Sequence, residues 1–404
     1  MKTSFHPFVH ETFRQRIPKI LDDTSRRLGG TRSTEWDALR TTLTSGPSAP
    51  LTLLVDCPEN KSWNEHLQPL IAAGASLREV DTLMLENYVY RRILDSIDYW
   101  TTKEDLFRFH KEEALAQALD GSFQRVAALR SAFYAVGNLV STSGSKTPTL
   151  TLGTLTPALL LDLWGNRADL SLSGGKVTAA PMEDQADETT LLADDISLLW
   201  SSSVFQSGAS TGQEIGIVLD NCGLELCTDL VLADILLSSG VAAKVTLFAK
   251  EHPVFVSDAL PKDVQTHLER LAQWQGTDRP VDMLPLLSSG KLVIKSHSFF
   301  TSGFSYEEMS REAPDLFQEF GRQNLMIFKG DANYRRLMGE RQWSVTESFA
   351  KVVEYLPSSS LAIRTLKYPL SCGATEEAIT QAKLKYGEKE WDCIGKCGVI
   401  HFKA

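Results

Sequence analysis

Apolar residues recur at spacings of three and four through residues 1–150, the period of helices with one packed face. Phe8, Phe13, Ile17, Ile20 and Leu21 make the first stripe, and Gly29-Gly30 stops it. A second helix begins after Ser33, with Glu35, Trp36 and Leu39 in its first turns. Residues 62–73 make a third, which Pro69 kinks or shortens. The clearest spans 77–99, where Val80, Leu83, Met84, Tyr88, Arg91 and Leu94 keep the period. Its Glu86, Tyr88, Tyr90, Arg91 and Arg92 either belong to a solvated face or line one wall of a site. Helices over 103–119 and 122–139 complete this part.

The pattern then changes. Residues 141–151, rich in Ser, Thr, Gly and Lys, read as a connection. A short helix over 157–164 runs into the polar turn Gly165-Asn166-Arg167-Ala168-Asp169-Leu170-Ser171. Residues 174–195 are acidic, poor in aromatics and read as a surface loop. From Ile215 onward, apolar runs of strand length alternate with helical stretches, which predicts α/β architecture with a largely parallel sheet covered on both sides. One strand ends at Asp220, and others cover 243–249, 291–295, 324–328 and 360–363. Helices over 224–237, 262–274 and 306–320 lie between them. The chain thus divides into a helical region, 1–150, and an α/β region, 151–404.

Polar residues gather where these strands end. Asp220-Asn221, Lys250, Ser257-Asp258, Lys329-Gly330-Asp331 and the stretch Arg364-Thr365-Leu366-Lys367 all follow apolar runs. In a parallel sheet such ends emerge on one edge, where open α/β sheets bind ligands. Asp220 and Asn221 offer hard oxygen ligands to a divalent cation, or Asp220 merely caps the following helix. Acids, an amide, lysines and an arginine at one edge suit phosphoryl transfer, with an ion on oxygen ligands and cations around the phosphate. Asp331-Ala332-Asn333-Tyr334-Arg335-Arg336 opens a helix, whose free N–H groups also attract an anion.

Composition narrows the classes. The 404 residues carry a formal net charge of -10, which disfavours nucleic acid and anionic membranes as partners and requires any anionic substrate to be captured locally. No apolar run reaches the ~20 residues of a membrane span, and the mixed N-terminus is not a secretory signal. Six scattered cysteines, including Cys222, Cys227, Cys393 and Cys397, lack zinc spacing and suit a reducing compartment. The phosphate loop GxxxxGK[ST], the GxGxxG turn, the GxSxG elbow and HExxH are all absent, and the histidines form no ligand-like cluster.

These stretches together resemble the metal-dependent damage-control phosphatase family, in its sugar-phosphate phosphatase or acidic-residue methyltransferase subgroup. The likeness lies in Leu163 to Ser171, Asp220 to Glu225, Lys250 to Asp258, Lys329 to Arg336 and the RTxK stretch ending at Lys367, with Glu86-Asn87-Tyr88-Val89-Tyr90-Arg91-Arg92 upstream. The resemblance implies a helical N-terminal portion on an α/β/α sandwich with a Rossmann-like sheet. It implies Asp220, Asn221 and Asp258 as catalytic metal ligands, with Glu225 beside them. Asp331, Asn333, Tyr334, Arg335 and Arg364 would form the substrate side, and Lys367 would hold the phosphate. It further implies manganese, cobalt, nickel or magnesium, substrates such as fructose 1-phosphate and fructose 6-phosphate, and a cytoplasmic or nuclear site of action. Two alternatives remain. One is a protein-glutamate carboxyl methyltransferase using S-adenosylmethionine, although the turn Asp220-Asn221-Cys222-Gly223 is not a glycine-rich cofactor loop. The other is a non-catalytic sugar-phosphate-binding module.

Overall fold

The computed structural model describes residues 17–27, 34–46, 48–140, 148–165, 190–206, 212–276 and 281–404. Phe8, Phe13, Gly29-Gly30, Ser33 and the polar turn after Gly165 therefore lie outside the described residues. Helices α1 (Ile17–Arg27), α2 (Thr34–Thr44), α3 (Lys61–Ala72), α4 (Thr82–Ser96), α5 (Arg108–Gln117), α6 (Phe123–Val140) and α7 (Leu152–Gly165) come first. Strand β1 (Thr190–Asp194) and β2 (Gln213–Val218) lead to α8 (Leu224–Ser238), β3 (Ala242–Ala249), α9 (Pro261–Gln273) and β4 (Leu292–Ser296). Then follow α10 (Pro314–Arg322), β5 (Leu325–Lys329), α11 (Gly330–Met338), β6 (Ser359–Thr365), α12 (Glu376–Tyr386) and β7 (Cys397–Lys403). The seven strands form one sheet in the order β1-β7-β6-β5-β2-β3-β4, parallel except between β6 and β7. Among the described residues no helix is long and apolar enough to cross a membrane.

Strand alternation builds two cores. Ile215, Ile217, Val245, Leu247, Leu325, Ile327, Leu361 and Ile363 join one cluster with α6, α7, α8 and α9. Val218, Phe248, Met326, Phe328 and Ala362 point the other way, into a cluster shared with α1 to α4, α10, α11 and α12. Both sheet faces are thus covered, which is why the central strands read as continuous apolar runs. Helix α8 is buried from Leu224 to Leu237, and it too is apolar around much of its circumference.

Several element limits differ from the sequence expectation, each for a local reason. The helix expected over 77–99 begins at Thr82, because a capping box first closes a single turn (Ser76 N–H to Glu79 Oε2, 2.6 Å) and Val80 is extended. Instead of starting at residue 103, α5 starts at Arg108, where the Asp105 carboxylate accepts the Phe107 N–H at 2.9 Å. The helix expected over 306–320 breaks at Ala313 (φ -148, ψ 66), since Pro314 disfavours helical backbone before it. Residues 190–194 of the expected acidic loop form β1, and β6 continues two residues past Ile363 to include Arg364 and Thr365. Both β7 and α12 escaped the pattern altogether.

Four histidines are buried among the described residues, and three of them, His252, His267 and His401, have no carboxylate within ion-pair distance. Burial pulls the pKa of His252 and His401 down to about 3 and that of His267 to about 4, so all three are neutral in the folded chain. An ordinary histidine titrates at 6.5, so the unfolded chain binds protons first as pH falls. Their contribution is whole above pH ~6.5 and is lost toward pH ~4, at up to about 1.4 kcal/mol per pH unit for each ring. Urea unfolding at stepped pH should therefore show stability falling by several kcal/mol between pH ~6.5 and ~4.5, with proton uptake on unfolding. A flat profile there would mean that the rings carry charge in the folded chain.

Candidate active site at the carboxyl edge of the sheet

The chain leaves β2 through Leu219-Asp220-Asn221 and enters α8 at Gly223, whose φ of 83 suits a residue without Cβ. Beside it, residues 257–259 fold back as a one-bridge strand. Asn221 and Asp258 form an antiparallel bridge, the Ala259 N–H donates to Asp220 O at 2.8 Å, and the Cys222 N–H donates to Ser257 O at 2.7 Å. Backbone pairing therefore puts Asp220, Asn221 and Asp258 side by side, although 36 positions separate Asn221 from Ser257. The turn that allows it holds Phe255 and Val256 in left-handed conformations (φ 50 and 69). For a β-branched residue that costs of order 1–3 kcal/mol.

The side chains interlock. Asn221 Nδ2 donates to Asp220 Oδ2 at 2.8 Å and to Glu225 Oε2 at 2.9 Å, while Ser257 Oγ donates to Asn221 Oδ1 at 2.6 Å. Lys250 pairs with Asp258 at 3.3 Å and donates to Leu219 O at 3.1 Å. Gly330, the first residue of α11, has φ +77, and a Cβ there would sit 1.9 Å from Asp220 Oδ2. The β5–α11 backbone thus passes directly against this carboxylate. Two aspartates and an amide oxygen, all buried, make an all-oxygen donor set that fits a hard divalent cation. Among the described residues no group of three or more His, Cys, Asp or Glu side chains is already gathered as a metal site, so the third donor of this set is the Asn221 amide.

Next to this set stands the turn after β6. Asp331 Oδ1 accepts Arg364 Nε–H at 2.7 Å and the Lys367 backbone N–H at 3.2 Å. Arg364 also donates to Tyr368 O at 2.7 Å and to Leu370 O, and its guanidinium lies 4.4 Å from the centre of the Tyr334 ring. Arg335 is gripped by Glu86 of α4 at 2.7 Å and by Glu340 at 2.6 Å, with its guanidinium 4.2 Å from the Tyr368 ring centre. Burial alone would lower the Arg335 pKa, but these two carboxylates outweigh it and hold it well above its usual value. Below the edge, Lys329 is wholly buried between Asp162 (2.5 Å) and Asp229 (3.3 Å), tying α7, β5 and α8 together.

Over residues 12–382 the chain matches the damage-control phosphatase ARMT1-like domain. It belongs to that family. The chain is 29% identical to damage-control phosphatase ARMT1 of Danio rerio across 98% of its own length and 95% of the relative's. The Xenopus tropicalis protein of the same name is 30% identical, covering 97% and 96%, and the Homo sapiens one is 32% identical, covering 79% and 74%. Among solved structures, a DUF89 family protein from Pyrococcus horikoshii aligns with a TM-score of 0.48 at 14% identity, covering 92% of this chain and 97% of that one.

In this member of the ARMT1-like family, the edge gathers Asp220, Asn221, Glu225 and Asp258 tightly, with Asp331 and Lys367 joined at the neighbouring turn. Other signature side chains face elsewhere. Asn333 Nδ2 donates to Leu219 O (3.1 Å) and Lys329 O (2.8 Å), and its Oδ1 accepts from Tyr306. The Tyr334 hydroxyl meets Cys372 (3.4 Å) and His401 (3.2 Å) on the far side of α11. Arg364 turns its guanidinium to Asp331 and to backbone carbonyls. These three therefore frame the site from behind. Sequence reasoning left Glu340 and Asp162 without roles: Asp162 meets Lys329 far along the chain, and Glu340 lies just past the end of α11; Glu86 stood out only within a charged cluster, because its partner Arg335 is distant.

Gly330→Ala tests the close approach to Asp220. Gly290 has a similar φ of +73, and a Cβ there would meet nothing within 4 Å, so Gly290→Ala reads the backbone cost alone. Denaturant unfolding should show Gly330→Ala costing about 1–3 kcal/mol more than Gly290→Ala. Equal costs would mean that Asp220 moves aside freely.

Proposed function

We propose that the chain is a divalent-metal-dependent phosphatase acting on small sugar phosphates of the fructose 1-phosphate and fructose 6-phosphate kind, in metabolite damage control. Its named relatives are damage-control phosphatases. The observation that carries the reading to this chain is the buried bridge setting Asp220, Asn221 and Asp258 side by side at the carboxyl edge. Asp220, Asn221 and Asp258 would hold manganese, cobalt, nickel or magnesium, which when bound polarises a phosphoryl oxygen and lowers the pKa of water. Glu225 and Ser257 grip the Asn221 amide from its two ends and so fix which atom faces the crevice. Lys250 holds Asp258 in place. Lys367, anchored through its backbone by Asp331, and Arg335 supply positive charge to the phosphate as negative charge develops. Asn333, Tyr334 and Arg364 act by holding this frame. The β2–α8 turn offers one glycine, Gly223, and nothing in it favours S-adenosylmethionine.

Exhaustive chelation should abolish phosphate release from fructose 1-phosphate, and returning a divalent ion should restore it. Asp220→Ala and Asp258→Asn should stay inactive under both conditions, with thermal unfolding run alongside to confirm folded variants. Undiminished release after chelation would overturn the metal assignment. Lys367→Ala should lower kcat/KM by about ten- to a hundredfold with metal saturating, the value of a charge-assisted hydrogen bond of roughly 1.5–3 kcal/mol. Wild-type kinetics in that variant would remove Lys367 from the phosphate site.

A further inference from the structure

A separate cavity of about 490 Å³ opens between α3, α4 and the loops that follow β3 and β4. That size suits a small molecule. Trp63, Met84, Phe299 and Phe304 give it apolar walls, and Arg91 and Glu251 line it as well. None of the residues assigned above to metal or phosphate belongs to it.

Most charged groups around it are already paired. Glu59 is tied to Lys103 at 2.8 Å, Glu312 to Arg311 at 2.7 Å, and His297 to Asp315 at 3.3 Å. Arg91 is buried, yet among the described residues no carboxylate stands within ion-pair distance of it. Two of its N–H groups reach Asn60 Oδ1 and Glu59 O, both at 2.8 Å, and its guanidinium lies between the rings of Trp63 and Trp100 (5.5 and 4.8 Å). Asp95, the carboxylate whose charge Arg91 feels most, is spent on the Val55 N–H, the Asn60 amide and the Trp100 indole at 2.9, 3.0 and 2.6 Å. Burial brings the Arg91 pKa down to about 10, so it stays a cation at neutral pH. Glu251 is exposed, lines the same cavity and is close enough for its charge to act on Arg91. One cation held rigidly by aromatic faces, one exposed anion and an apolar wall thus meet in one space. A guanidinium this deeply buried, with no ion pair of its own, gains further from a ligand carboxylate.

We propose that this cavity binds a free zwitterion of the α-amino-acid class with an apolar side chain. Its carboxylate sits on the remaining N–H groups of Arg91, its ammonium on Glu251, and its side chain against Trp63, Phe299 and Phe304. An anion alone would leave Glu251 facing it, and a cation alone would meet Arg91. Only a dipolar ligand satisfies both. Glu251 directly follows Lys250, which pairs with Asp258, so occupancy is placed to be felt at the carboxyl edge.

Titration calorimetry on the full chain, with L-leucine, L-methionine and L-phenylalanine as probes, tests the site. Phenethylamine and 3-phenylpropionate serve as the partners lacking carboxylate and ammonium. At least one amino acid should bind, and both truncated analogues should bind at least tenfold more weakly than phenylalanine. Glu251→Gln, at an exposed position where folding is not at stake, should weaken amino-acid binding about tenfold. Arg91→Lys should weaken it further, with thermal unfolding run alongside to confirm a folded variant. The proposal falls if no amino acid binds at millimolar concentration, or if 3-phenylpropionate binds as tightly as phenylalanine. Unchanged affinity in Glu251→Gln would overturn it as well.

Discussion

A charge taken out of water must meet an opposite charge or a dense set of hydrogen bonds, and the carboxyl edge of this sheet is governed by that requirement. Lys250, Lys329, Arg335, Arg364 and Lys367 are all buried there, beside Asp220, Glu225, Asp258 and Asp331. The pairs that satisfy them also join elements. Lys329 links β5 to α7 and α8, Arg364 links β6 to α11, Arg335 links α11 to α4, and Lys250 links β3 to the 257–259 turn. Removing one member of such a pair leaves a bare buried charge, which typically costs 3–5 kcal/mol. The same interactions that hold helices on the edge thus fix the geometry of the donor set.

The central sheet was legible because its strands are buried on both faces and separated by helices of ordinary length. The parallel edge on which Asp220, Lys250, Asp258, Asp331 and Lys367 meet follows from that alternation. β1 was not legible: five residues with mixed burial, reached after an acidic stretch, give neither a clean period nor a long apolar run. β7 is apolar enough, but it pairs antiparallel with β6 and parallel with β1, a placement set by partners rather than by its own pattern. The grip of Glu86 on Arg335 spans most of the chain, and no local spacing announces it.

Position in a motif and contact with a ligand are different properties, and this site separates them. In the stretch Asp331-Ala332-Asn333-Tyr334-Arg335-Arg336, successive side chains on a helix point about 100° apart, so all of them cannot face one crevice. Asp331 faces the β6 turn. Tyr334 turns inward to His401 and Cys372, and Arg336 reaches back to the carbonyls of Phe300, Phe304 and Ser302. Asn333 ties the helix start to the last residue before Asp220. A resemblance in sequence groups Asp331, Asn333, Tyr334 and Arg335 together on the substrate side because it cannot see this division.

The turn at Phe255-Val256 is strained, and strain of this kind persists only where the surroundings enforce it. Two consecutive left-handed, non-glycine residues would relax in a turn that served only to connect. Here they let residues 257–259 return antiparallel to 220–222, so that Ser257 reaches the Asn221 amide and Asp258 stands beside Asp220. The bridge bonds at 2.7 and 2.8 Å and the Lys250–Asp258 pair are what hold the strained conformation. Strain accepted at one point of an otherwise well-satisfied edge is thus what sets Asp220, Asn221 and Asp258 together.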